Sequence, residues 1–156
     1  MAERQGFIDR VKGAEREYYV VAAAIAHFGP VALAGFAQLP TKTSRRDLDS
    51  AGERAESTYL IRMWAEFETA LRSYWRLKTA PGPDDRIGTK NLIDWIAGVK
   101  QGRAVSADVR DGVHEVREYR NFMVHERDDQ MPPDEVSIEE ARKRLNTLMH
   151  CLPIEW

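Results

Sequence analysis

The chain has one cysteine, Cys151, and no surplus of charge of either sign, with 23 lysines and arginines against 25 aspartates and glutamates. A single thiol excludes an internal disulfide and with it the stapled scaffolds of small secreted proteins. No secretory signal opens the sequence, so a reducing, cytoplasmic setting is expected. Cys151 lies beside Leu148 and Leu152 in an apolar helical pattern and is expected to be a small buried residue. The near-even charge means that no global positive field announces nucleic acid, so an RNA site has to rest on a local basic cleft. Also missing are a glycine-rich phosphate loop, a cysteine pair for zinc and an HExxH helix. No segment alternates in the β-branched manner of a strand, and there is no internal repeat. One nearly uncharged run, Tyr18 to Ala37, approaches the length of a membrane span. It is rich in alanine, carries His27 and is cut by Gly29-Pro30, so a buried helix followed by an apolar loop is expected, with no membrane contact.

What is present is helical periodicity over most of 156 residues, enough for one domain spanning 1–156 with a genuine core. Phe7, Val11, Ala14, Tyr18, Val21 and Ile25 recur three and four apart, which predicts a helix from about Ala2 to Phe28, closed by Gly29-Pro30. Pro30 to Ser50 reads as a long connection with a short helical piece near Val31 to Leu39. A second long helix is expected from about Gly52 to Lys78, striped by Leu60, Trp64, Phe67, Leu71, Tyr74 and Trp75. Ala80 to Asp85 breaks it. A short helix follows from about Thr89 to Lys100, with Leu92, Ile93, Ile96 and Val99 inward and Gly102 past its end. Ser106 caps the next helix, which runs through Val109, Val113, Val116, Tyr119 and Met123 to about Arg127. Asp128-Asp129 and Pro132-Pro133 end it. Ser137 and Glu140 form a capping box for the last helix, whose stripe is Ile138, Ala141, Leu145, Leu148 and Leu152. The expected fold is all-α, a bundle of four long helices and a short one. Trp64, Trp75 and Trp95 are assigned to its core rather than to base stacking.

Chemistry concentrates around His125. Of the four histidines only His114 and His125 share an expected helix, about 16 Å apart along its axis, too far to share a metal ion. Asn121 and His125 are four apart and so neighbours on one face. Arg120 interrupts the apolar stripe of Val109, Val113, Val116 and Met123. A guanidinium there is expensive unless it is paired or lines a cleft. Glu66, Glu68 and Glu118 are candidate carboxylate partners that would make Arg120 purely structural, and a histidine at a helix end can simply complement the dipole. His125 lies about 140° round an ideal helix from Arg120, so one straight helix does not aim both at one point. A site using both needs a bent helix end, long side chains, or two copies facing each other across a dimer. Arg117, one turn before Asn121, either extends a phosphate-binding strip or is a solvated surface arginine.

The run Arg120-Asn121-Phe122-Met123-Val124-His125 resembles the signature of the HEPN superfamily: an arginine followed directly by a polar residue, then histidine after a spacing of four to six. Arg-x4-His arises by chance in roughly 0.4 cases in such a chain, and the polar residue after the arginine lowers this to roughly 0.05. Arg144 and His150 fit the loose spacing too, but Leu145 follows that arginine. The resemblance covers the helical layout of most of the chain and six residues of motif. It implies a dimeric, HEPN-like bundle and a metal-independent endoribonuclease without cofactor, with Arg120, Asn121 and His125 catalytic and Arg117 a further RNA contact. Such a protein would act as a toxin or phage-defence effector, with RNA as substrate and an antitoxin such as a nucleotidyltransferase-type partner. Some HEPN toxins carry a tyrosine two residues after the histidine that such a partner modifies. Here that position is Arg127, so this route to silencing would be closed. Two other readings stand beside it: a catalytically inactive HEPN-like module that binds a partner protein or nucleotide, and a plain helical dimerisation domain.

Overall fold

The computed structural model describes residues 3–35, 38–82, 85–98, 105–125 and 131–156. It is all-helical, with five helices among the described residues: α1 (Arg4–Leu33), α2 (Arg45–Thr79), α3 (Thr89–Gly98), α4 (Ala107–His125) and α5 (Ile138–His150). The only extended pairing among the described residues is an isolated bridge between Glu3 and Glu155, which joins the two ends of the described chain.

The two long helices form the frame. Arg10 pairs with Glu66, Arg62 with Glu17, and Tyr18 packs on Tyr59, so rising numbers in α1 meet falling numbers in α2 and the pair is antiparallel. Helix α5 lies against α1, again antiparallel: Arg4 donates to the Leu152 carbonyl at one end and Arg142 pairs with Glu15 further along. Glu56 of α2 accepts from the Ile138 N–H at 2.8 Å, placing an acid at the positive end of α5. Phe7, Val11, Trp64, Phe67, Leu71, Tyr74, Leu92, Ile96, Val113, Val116, Leu145 and Leu148 fill the shared core. Trp156 closes one end, stacked on Phe7 and edge-on to Tyr74. No helix among the described residues is long and apolar enough to cross a membrane.

Several element ends differ from the sequence expectation, each for a local reason. Gly29-Pro30 does not stop α1, which continues to Leu33 with Pro30 inside it. A proline removes one N–H and crowds the turn before it, and so close to the helix end little follows that it can disrupt. The stop is Gly35, at φ +78, just after the Ala34 N–H closes on the Pro30 carbonyl. The second half of α1 is half-exposed rather than buried, with Val21 and Ile25 only partly covered and Tyr19 and Val20 in solvent. Helix α2 begins seven residues before Gly52. Ser44 accepts from the Asp47 N–H while the Asp47 carboxylate accepts from the Ser44 N–H, a complete capping box inside what reads as a polar loop. At α5 the expected box is half formed: Ser137 accepts from the Glu140 N–H, without the return bond. Cys151 is half-buried, not buried, and its thiol donates to the Thr147 carbonyl. Val99, Lys100, Gly102 and Asp128-Asp129 lie outside the described residues.

Candidate functional site

The site is built where the first turn of α3 meets the outer half of α4. Helix α2 sets that meeting. The Glu68 carboxylate accepts from Arg72 at 2.6 and 2.9 Å, from the Thr89 hydroxyl at 3.0 Å and from the Trp64 indole at 3.1 Å. Arg72 also donates to the Ile87 carbonyl at 3.0 Å. One carboxylate on α2 therefore pins the entry to α3. Burial alone would raise the Glu68 pKa, but the hydrogen bonds from Arg72 and Thr89, the Arg72 charge and the Trp64 N–H outweigh it and hold the carboxyl below its usual range. Further along, His114 of α4 bonds Asp94 of α3 at 2.8 Å, and with residues 89–91 facing 117–121 across a shared cleft the two helices run antiparallel. That bond is the main reason the Asp94 carboxyl also sits below its usual range.

Between them opens a cleft of about 340 Å³, lined by Gly88 and the first three residues of α3, Thr89 to Asn91, by Trp64 and Glu68 of α2, and by Arg117, Arg120 and Asn121 of α4. Three of the four residues singled out on α4 thus share one cavity. Arg120 is half-buried and donates to the Asn121 side-chain oxygen at 3.0 Å. It is in none of the ion pairs among the described residues. Its three expected carboxylate partners are engaged elsewhere: Glu66 with Arg10, Glu68 with Arg72, and Glu118 with Arg117. The Nε atoms of Arg120 and Arg117 are both buried without a hydrogen-bond partner. Arg117 is not a solvated surface arginine, for its side chain is only 17% exposed.

His125 is the fourth residue, and the chain does not bring it into the cleft. It is the last residue of α4, solvent-exposed, and not among the cleft's lining. Asn121 makes no hydrogen bond to it, since the amide oxygen faces Arg120 instead. A single chain therefore offers an arginine-lined cleft with a histidine standing outside it. Arg127 lies outside the described residues. No group of three or more potential metal ligands occurs among the described residues.

The sequence reading missed the contribution of α3. Lys90 and Asn91 line the cleft, but they sit on the polar side of a short amphipathic helix, where a lysine carries no signal of its own. Only the packing of α3 on α4, a contact remote in sequence, sets Lys90 beside Arg117 and Arg120. Trp64 is 2% exposed, so it forms the floor of the cleft as a core residue, as its place in the α2 stripe suggests. Comparison with models of known protein families, with curated proteins and with solved structures gives no match, so the chemistry of this cleft stands on its own geometry and on the six-residue motif.

Proposed function

We propose that the protein is a metal-independent endoribonuclease, acting as a toxin or phage-defence effector, whose active site is completed by two copies of the chain. The observation that carries the reading is Arg120: a half-buried guanidinium with no carboxylate partner among the described residues, held by Asn121 at the wall of an open cleft. A structural arginine in this position is normally paired, because an unpaired buried charge is expensive. A phosphate would supply the missing partner, and the planar fork of arginine matches it in a bidentate manner.

The reaction needs no metal when the RNA's own 2′-hydroxyl attacks the adjacent phosphorus. Arg120 would hold the phosphate oxygens on which charge builds. A single His125, from the second copy, would take the 2′-hydroxyl proton as the 2′-oxygen bonds to phosphorus and the bond from phosphorus to the 5′-oxygen breaks. The imidazolium so formed would give a proton to that leaving oxygen. The products are a 2′,3′-cyclic phosphate and a 5′-hydroxyl. Histidine suits both roles at neutral pH and typically contributes about 10²–10⁴-fold. Because His125 stands outside the cleft of its own chain, a twofold pairing that sets it at the mouth of a second chain's cleft would unite the groups.

The exposed position of His125 is also what favours a second reading, a catalytically inactive module that binds nucleotide phosphate in the same cleft. Cleavage of mixed-sequence RNA by the purified protein in excess EDTA separates the two. The nuclease reading expects cyclic-phosphate ends from the wild type and a loss of at least 100-fold in rate, on the order of one acid–base or oxyanion group, for His125→Ala and Arg120→Ala. A folded wild type that cleaves nothing leaves the binding module.

A further inference from the structure

The cleft holds more positive character than one scissile phosphate requires. Lys90, Arg117 and Arg120 converge on it against a single lining carboxylate, Glu68, which Arg72 already neutralises. Lys90 is exposed and in no ion pair among the described residues. Arg117 spends one nitrogen on Glu118, at 3.0 Å, and keeps its buried Nε unbonded. Arg117 stands one helical turn before Arg120, about 4.5 Å along the axis, so the two arginines are placed to serve successive groups of a ligand rather than one. The first turn of α3 adds to this field: its cap position is Gly88, no side chain among the described residues caps it, and its leading N–H groups have no partner within the helix. The floor gives no aromatic face, because Trp64 is buried with its N–H committed to Glu68.

We infer that Lys90 and Arg117, backed by the first turn of α3, form a second phosphate subsite, which holds the phosphate next along the strand from the one at Arg120. The substrate class is then single-stranded RNA with at least two adjacent backbone phosphates, gripped by its backbone without selection of the base at this subsite. The inference rests on the nuclease reading for the placement of the cleaved bond, but not for the binding itself.

Binding of 2′-deoxy oligonucleotides, which lack the attacking hydroxyl, tests it without catalysis. The probes are a dinucleotide with one internal phosphate and the same dinucleotide with a further 5′- or 3′-phosphate, titrated into full-length protein. The wild type should bind one of the phosphorylated forms about tenfold more tightly than the plain dinucleotide, as one charge-assisted contact provides. Lys90→Ala and Arg117→Ala should each abolish most of that gain, and Lys90→Arg should restore it. The salt slope of binding should fall by about one on loss of Lys90. Equal affinity of the wild type for all three probes overturns the subsite, even where RNA cleavage is found. A gain that depends on Lys90 in a protein that cleaves nothing upholds the subsite and refutes the nuclease. A nucleoside monophosphate that binds as tightly as the best dinucleotide, with the same dependence on Lys90, overturns the assignment to an RNA strand in favour of a free nucleotide.

Discussion

Arg72 and Arg120 both belong to the surroundings of Glu68, and their fates diverge. Arg72 is four residues along the same helix and takes the carboxylate through two nitrogens. Arg120 is left with an amide oxygen. The two should therefore answer substitution differently. Glu68→Gln breaks a partly buried pair that also anchors Thr89, and should lower stability at neutral pH by about 1–3 kcal/mol. The folded-state pKa of Glu68 is depressed below its usual value, so its contribution is complete above that usual value, about 4.3, and is lost as pH falls through the folded-state value. Urea unfolding of wild type and Glu68→Gln should thus show a clear gap at pH 7 that narrows towards pH 3. A gap independent of pH would mean that the carboxylate charge is not what holds the entry to α3. Arg120→Ala removes no ion pair among the described residues, and should change stability by less than about 1 kcal/mol while altering the chemistry of the cleft.

Element ends carry the clearest contrast between what the residues announce and what packing decides. Ser44 and Asp47 form a complete cap for α2. Ser44→Ala should cost about 1 kcal/mol. At the other end of α2, Ala80 takes a left-handed conformation at φ 43 where a glycine is usual. Ala80→Gly should gain about 0.5–1 kcal/mol, read as a raised urea midpoint with an unchanged slope. A lowered midpoint would mean that Ala80 makes a contact worth more than its strain. Helix type and the inward stripes were legible in the sequence because they depend on a 3.6-residue period, which Leu60 to Tyr74 and Ile138 to Leu152 obey plainly. Boundaries were less so, since Ser44-x-x-Asp47 sits in a polar run and Pro30 looks like a terminator although the stop lies five residues on, at Gly35. Arg120 was legible as the anomaly of an apolar stripe. Lys90 was not, because nothing local to α3 shows that its first turn faces α4.

At the scale of the whole molecule, the question is how Arg120 and His125 meet. Within one chain Arg120 lines the cleft and His125 does not. The proposed centre accordingly takes its phosphate-holding arginine from one copy and a proton-transfer histidine from another. Such a centre has a property that no single-chain site shares: two inactive variants can repair one another. Equimolar Arg120→Ala and His125→Ala protein, mixed and allowed to exchange, should form heterodimers in about half of the pairs, each with one intact composite site and one doubly damaged. Metal-free RNA cleavage by the mixture should recover to about a quarter of the wild-type rate, well above either variant alone. Wild-type cleavage with no recovery in the exchanged mixture would contradict a site shared between two chains.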